Sequence, residues 1–318
     1  MPSSIDDSGK SDASSGIRSW LSSVPNGSTV VFRAGGVYRL DRGLSLVNRK
    51  NLTIDGRGAT LKANAGCNPG ASPFMIQGGS GITIRNFTLT GQAAGVGTSG
   101  ALRNGCENQE AVGVYGASDI LLSDLTMSRM AGDCVYLGPN GGTWASSVTL
   151  QDSSCSLIGR SGLAITAARS VLVQRVTYNT LGLHVLDIEP DNSSGGGTSI
   201  TFRNNTVGSF GLTSRFSGYF FAADGAAGST INNVTVSGNK VSGTTHSGYD
   251  GSPRGLNTTV EVSRRKNIVV TNDKATVAST GTVMTFTHVD GLTVTGNVQP
   301  ISSGRLIRVT DCTGVQAQ

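Results

Sequence analysis

Charge is scarce in this chain. Only 14% of its 318 residues are Asp, Glu, Lys or Arg, and aromatics make up 5%. Aromatic poverty combined with 45 glycines excludes helical bundles and points to many short strands joined by turns. No run of about 18 apolar residues occurs, so no segment reads as a membrane-spanning helix. The five cysteines (Cys67, Cys106, Cys134, Cys155 and Cys312) lack CxxC spacing, which excludes the usual zinc patterns. Two disulfides plus one thiol would suit an oxidising compartment, and buried unpaired cysteines are the alternative. The chain starts MPSSIDDSGKSD, without a basic-then-apolar leader, so secretion is expected only with a leader that is not part of this sequence. A formal charge of +5 and a pI near 9.1 look basic, yet Lys and Arg are scattered apart from RRK at 264–266. No basic stripe with interleaved aromatics exists, so neither nucleic acid nor membrane is an expected partner.

What is present is repetition. NLTIDGRGATL (51–61), GITIRNFTLTG (81–91), DILLSDLTMSR (119–129), SVTLQDSSCSL (147–157), SVLVQRVTYNT (170–180), TSITFRNNTVG (198–208), NNVTVSGNKVS (232–242), KNIVVTNDKAT (266–276) and DGLTVTGNVQP (290–300) share one pattern. Each reads apolar-x-apolar, two polar residues often including Asn or Asp, then a second alternating pair. A period of two means strand, with alternate side chains on one buried face. A unit this short cannot bury that face alone, whereas stacking on copies of itself does so. Before most copies stands a second short strand: FMIQ (74–77), VGVY (112–115), VYLG (135–138), LAIT (163–166), LDIE (186–189), VEVS (260–263), MTFT (284–287) and IRVT (307–310). The expected fold is all-β, a parallel β-solenoid in one domain over 1–318. Residues 1–43 form an N-terminal cap and 44–318 the stacked rungs. Ile17, Trp20, Leu21 and Val24 have helical spacing, which would lay one apolar face of a capping helix over the first rung.

Against this neutral background HVLDIEPDN (184–192) concentrates one of three histidines and three carboxylates. In LDIE, Leu186 and Ile188 would point inward, leaving Asp187 and Glu189 outward, about 6.5–7 Å apart along the strand. Outward positions on the preceding rungs are Ala164 and Thr166, Tyr136 and Gly138, then Gly113 and Tyr115. This arrangement is an acidic patch on a floor of small residues, with tyrosines two rungs away. Sugar rings stack on aromatic faces, and carboxylates at about 6.5–9.5 Å serve inverting glycosidases. Asp133, just before VYLG, is the expected second partner, with Arg160 and His184 flanking the patch at strand entrances. The bland alternatives are solvated strand charges or a structural Ca²⁺ site. No EF-like or nonapeptide calcium pattern occurs, so no metal or other cofactor is expected. Asp191 reads as a turn residue after Pro190, and Asp224 in AADGAAG as a loop acid.

The stacked layout resembles the right-handed parallel β-helix proteins of the pectate-lyase-like superfamily, along essentially the whole chain. The entry segment VVFRAGGVYRL…NLTIDGRGATL is similar to that of many members. The middle rungs resemble those of polygalacturonase-type glycoside hydrolases, whose successive motifs are N-T-D, D-D-C, C-S-G-G-H-G and R-I-K. Here NQE (108–110), GDC (132–134), CSLIGRSG (155–162) and DIE (187–189) stand in those places. The resemblance implies carboxylate roles for Glu110 and Asp133 and a Cys134–Cys155 disulfide, with Cys67 and Cys106 as a second candidate pair. Departures are equally informative. Gly132 replaces the first Asp of D-D, usually that family's general acid, and Arg160 stands near its histidine. The basic pair that grips a uronic carboxylate has become Asp187 and Glu189.

Three functions compete on these residues. The first is a secreted glycoside hydrolase acting on a poly- or oligosaccharide. Asp187, Glu189 and Asp133 would be catalytic, and Glu110, Tyr115, Tyr136, Arg160 and His184 would bind substrate. Loss of the basic pair favours a neutral sugar over a polyuronate. The second is a polysaccharide lyase or epimerase using Arg160 or His184, since no lysine falls in the middle rungs. The third is a non-catalytic glycan-binding or tailspike-like solenoid. Neither oligomeric state nor the sugar's identity is legible.

Overall fold

A computed structural model describes residues 1–64, 72–93, 108–213, 217–243 and 255–318. Its strands form two parallel sheets, one of 18 strands and one of 10. Each coil contributes a long or divided strand to the large sheet and a short strand to the small one. One coil runs through Ser118–Ser128, then Val135–Gly138, before Ala145–Gln151 begins the next. This is the parallel β-helix expected from the repeats.

The core follows from strict register. Leu52, Ile82, Ile120, Val148, Val171, Ile200, Val234, Ile268 and Leu292 are successive ladder partners in the large sheet. None is more than 3% exposed. Burial of such a side chain is worth roughly 1.5–3 kcal/mol, so each added coil extends the core by a similar increment. Where the large sheet bends, Asn86, Asp124, Asp152, Asn204 and Asn272 adopt φ between 51 and 60°. Short polar side chains tolerate this left-handed conformation, which explains the Asn and Asp that recur between the alternating pairs.

One residue beyond that bend lies a buried polar ladder. Asn205 accepts the Val176 N–H at 2.9 Å. Asn239 accepts both the N–H and the Nδ2 of Asn205, at 2.9 and 3.0 Å. Asp273 Oδ1 likewise accepts the N–H and Nδ2 of Asn239, both at 2.8 Å. Asn297 accepts the Asp273 N–H at 2.9 Å. Toward the N-terminus the same position holds Val176 and Ser153, whose hydroxyl accepts the Leu125 N–H at 3.1 Å.

The only helix among the described residues, Ser14–Ser23, buries Ile17 and Leu21 and lies against the edge strand Leu44–Val47 and against Val37–Leu40. Beside it, Ser8–Asp12 and Thr29–Val31 add short parallel edges to the large sheet. The small sheet holds two strands absent from the expected set, Leu44–Val47 and Phe221–Ala223. It also shifts a third: the strand near VEVS is Thr258–Val260, two residues earlier, and Glu261 lies just beyond it. Cys134 and Cys155 are joined, with Cα atoms 6.2 Å apart. Cys67 and Cys106 lie outside the described residues. Among the described residues no helix is long and apolar enough to cross a membrane.

Candidate active site

The outer face of the small sheet is a lattice of three columns, set by parallel register at about 4.8 Å per rung. In the central column Gly113, Tyr136, Ala164, Asp187, Ala222 and Thr259 are successive partners. Two residues further along each rung come Tyr115, Gly138, Thr166, Glu189, Asp224 and Glu261. The amides of Glu189, Asp224 and Glu261 donate in turn to the carbonyls of Ile165, Ile188 and Ala223, which keeps the column in step beyond the strand ends. At the strand entrances stand Glu110, Asp133, Ser161, His184 and Tyr219. There the amides of Cys134, Gly162 and Val185 donate to the carbonyls of Ser161, His184 and Tyr219.

Asp187 lies on the outward side of its strand, as alternation requires, yet it is only 2% exposed. An aspartate is short, and the columns on either side carry longer side chains, His184 and Tyr219 on one flank and Glu189 on the other. Both carboxylates are on the outward side, as expected, but only Glu189 is exposed, and Asp187 is closed off beneath the surface. Asp187 Oδ2 accepts from the Ser161 hydroxyl at 3.2 Å, while its buried Oδ1 has no partner. Burial, then repulsion from Asp133 and Asp224, pushes the Asp187 carboxyl up to about 7, against opposing pulls from Arg160 and Ser161. Glu189 is exposed as a residue, but its carboxyl is partly desolvated by its neighbours. Burial, followed by repulsion from Asp187 and Asp224, raises it to about 7 as well.

Asp133 is tied to this pair through Ser161. The Ser161 amide donates to Asp133 Oδ1 at 2.8 Å, and its hydroxyl reaches Asp187, so one buried serine links carboxylates two rungs apart. Arg160 Nε lies 3.7 Å from Asp133 Oδ1. The Cys134–Cys155 bond anchors the residue after Asp133 to the strand Ser154–Ile158 of the following coil. Glu110 is buried one rung before Asp133. It accepts from the Ser72 hydroxyl at 2.8 Å and from the Tyr115 hydroxyl at 3.4 Å, and burial raises its carboxyl to about 7.

The tyrosines line the approach. Tyr115 and Tyr136 are half-buried with ring centroids 5.3 Å apart, and the Tyr136 hydroxyl bonds Thr166 Oγ1 at 2.7 Å. Burial raises both phenols, so both remain neutral hydrogen-bonding groups. His184 stacks on Tyr219 at 5.4 Å, and its Nδ1 accepts the Tyr219 amide at 3.0 Å, which places the ring proton on Nε2. Asp191 is exposed in the turn after Pro190.

Two residues escaped the sequence reading. Ser161 lies in CSLIGRSG without being singled out there. Asp224 read as a loop acid, but FAAD (221–224) occupies the register of LDIE, with Asp224 in the place of Glu189. An apolar-x-apolar-acid match was available there, although two alanines weakened the strand pattern. Burial, then Glu261, raises Asp224. Its main-chain carbonyl accepts Arg265 Nη2, and the buried Arg265 also donates to the Ser229 carbonyl at 2.9 Å.

No protein-family model matches the sequence, and no curated protein shows significant sequence similarity to it. Solved structures do match. The Streptococcus pneumoniae surface protein and adhesin PfbA superposes with a TM-score of 0.59 at 13% identity, covering 99% of this chain and 96% of that one. The Erwinia carotovora polygalacturonase gives 0.51 at 11% identity, covering 97% and 98%. The Yersinia enterocolitica family 28 exopolygalacturonase gives 0.53 at 11% identity, covering 99% and 77%. The fold is that of the pectate-lyase-like parallel β-helix proteins. At these identities the likeness establishes architecture, and the chemistry has to be argued from the side chains.

Proposed function

We propose that the chain is a secreted glycoside hydrolase that cleaves a poly- or oligosaccharide lying across the small-sheet face. The observation that carries this reading is an exposed glutamate, Glu189, its carboxyl raised toward neutrality by its surroundings, two rungs from Asp133 beside Arg160. Asp133 stands at the entrance of its strand and Glu189 at the exit of a strand two rungs on, so their backbones lie further apart than the roughly 9–10 Å of two stacked rungs, and a sugar chain crossing the face spans both. Glu189 holds a proton near neutral pH and serves as the general acid toward the leaving oxygen. Asp133, only 1% exposed and holding the Ser161 amide, serves as the base toward a water admitted at the strand entrance. Asp187 acts beneath Glu189, where its charge helps to keep the glutamate proton in place. Tyr115 and Tyr136 offer a stacking surface for the sugar, and the Cys134–Cys155 bond suits an extracellular site of action.

A lyase is less well supported, because its candidate base groups are engaged: Arg160 lies against Asp133 and His184 Nδ1 accepts a backbone amide. Glycan binding without cleavage is the second reading, favoured by the half-exposed tyrosine pair alone. A glycan panel assayed in parallel for reducing ends and for near-ultraviolet absorbance separates the three. Hydrolysis predicts reducing ends without absorbance, with activity falling as pH rises above about 7, where Glu189 loses its proton. Glu189→Gln should lower turnover by roughly 10²–10⁴-fold without lowering the unfolding midpoint. Undiminished activity in that variant, or an absorbing product, overturns the assignment.

A further inference from the structure

We propose that Asp224 and Glu261, which continue the column beyond Glu189, bind amino groups of the ligand, so that the glycan taken by this face is a cationic amino sugar polymer. This deepens the reading of the small-sheet face as a glycan site. Three carboxylates stand on consecutive rungs in one register position. Among the described residues no Lys, Arg or His makes an ion pair with any of them. The neighbouring cations are committed elsewhere. Arg160 lies against Asp133, and Arg265 is buried against main-chain carbonyls. The His184 ring accepts a backbone amide through Nδ1, and its pull on the Asp224 carboxyl, like that of Arg265, is outweighed by burial.

Asp187 supplies an independent sign. It projects from the same strand face as Glu189, is 2% exposed, and leaves Oδ1 with no partner. A buried acceptor without a donor is costly, and a donor arriving with the ligand would relieve it. A metal ion is the poorer occupant, because no three His, Cys, Asp or Glu among the described residues converge closely enough to ligate one. Acids repeated along a line at the rung spacing suit several separated ammonium groups. A uronic polymer would bring its own carboxylates to this column and be repelled.

The test is calorimetric binding of a β-1,4-linked glucosamine hexamer, its fully N-acetylated counterpart, a galacturonate hexamer and a lysine hexamer. The free amine form should bind at least about tenfold tighter than the acetylated form. High salt should erode that advantage, and so should Glu261→Gln, a position outside the proposed acid–base pair. Equal affinity for amine and acetylated forms, preference for galacturonate, or equal binding of the lysine hexamer overturns the proposal. Tight amine binding without reducing ends would sink hydrolysis and leave this inference standing.

A different observation carries a second inference: the geometry points to Asp273 as a neutral carboxylic acid that takes the place of an asparagine in the buried ladder. Its Oδ1 behaves as an asparagine oxygen, accepting two bonds from Asn239. At the other ladder positions Nδ2 donates to a carbonyl three residues before the preceding rung's ladder residue: Asn205 to Val173, Asn239 to Phe202 and Asn297 to Val270. Asp273 Oδ2 holds the corresponding place and is buried without a partner. By the same repeat it faces acceptors, the Val236 carbonyl and Asn297 Oδ1, and only a proton on Oδ2 makes that contact attractive.

Titratable groups nearby are few. Lys240 and Lys274 follow the ladder residues but are exposed, and Arg265, Lys266 and Asp290 sit at the far ends of the flanking strands. Burial raises the Asp273 carboxyl to about 6, opposed by its bonds from Asn239. A carboxyl raised on folding stabilises the fold fully below its unfolded pKa, and that contribution is lost as pH rises through about 6.

Urea unfolding from pH 3.5 to 8 should show stability falling between about pH 4 and 6 and levelling off above that. Asp273→Asn should flatten that slope and, at pH 8, give an unfolding constant about a hundredfold smaller than wild type. In labelled protein the Asp273 carboxyl carbon should titrate near 6. A variant weaker than wild type at pH 8, an unchanged slope, or a carboxyl carbon titrating near 4 overturns the inference.

Discussion

Two columns of stacked polar side chains run along this solenoid with the same pitch and opposite consequences. In the amide ladder each Asn carries both a donor and an acceptor, so Asn205 and Asn239 satisfy one another and the adjacent backbone with no net charge. On the acidic face Glu189, Asp224 and Glu261 have no amide donors to satisfy one another, so each added rung adds repulsion that pushes Glu189 and Asp224 toward their protonated forms. A one-dimensional repeat multiplies whatever is placed in it, whether complementarity or conflict. Among the described residues this conflict is gathered on the small-sheet face, where the proposed ligand would relieve it. Asp187 and Asp273 sharpen the contrast, since each is buried with one oxygen unpartnered. The surroundings of Asp187 are charged, with Asp133, Asp224 and Arg160 all acting on it, whereas Asp273 feels burial and Asn239.

The contrast can be broken from either side. On the acidic face, Asp133→Asn should cost roughly 10²–10⁴-fold in turnover with little change in stability, because an amide oxygen can still accept the Ser161 N–H. Initial rates and a urea melt on the same sample check both halves. In the ladder, Asn239→Asp would stack a second carboxyl against Asp273. It should destabilise by roughly 3–5 kcal/mol at pH 7 and by much less at pH 4.5, as read by urea unfolding at both pH values. Replacing Cys134 and Cys155 by serine opens a loop with a sequence separation of 21 and should cost about 3 kcal/mol, followed by thermal unfolding with and without reductant. The smallest effect is expected for Ser161→Ala. Removing its 3.2 Å bond to Asp187 should shift the alkaline limb of the pH–rate profile downward by a few tenths of a unit with the fold intact, since the bond favours the ionised Asp187 whose charge helps Glu189 keep its proton.

The fold was legible because stacking makes every coil repeat the same inward alternation, as Ile120, Val148 and Val171 do, and local pattern then equals global structure. Reading failed where a rung keeps its place with an unusual composition. Phe221–Ala223 forms a strand because its neighbours impose the register, and two alanines carry little strand signal of their own. Glu261 was visible but displaced by two residues, since Val262 and Ser263 continue the alternation past the strand's true end. The three-column lattice followed from register. What alternation could not reveal was depth: it states on which side of the sheet Asp187 lies, and burial depends on the height of the adjacent columns. Ser161 lacked any signal, because a serine in a bend acquires meaning only from the carboxylates that three-dimensional stacking brings to it.

The disulfide has a mechanical corollary. Cys134 precedes a strand of one coil and Cys155 lies in the next, so the bond staples successive turns in the middle of the molecule. Pulled by its C-terminal end, a solenoid should shed coils one after another, and here the amide-laddered turns would peel first. Unzipping would then have to stop at the staple, leaving the turn that holds Asp133 fastened to its neighbour after half the rod had come away.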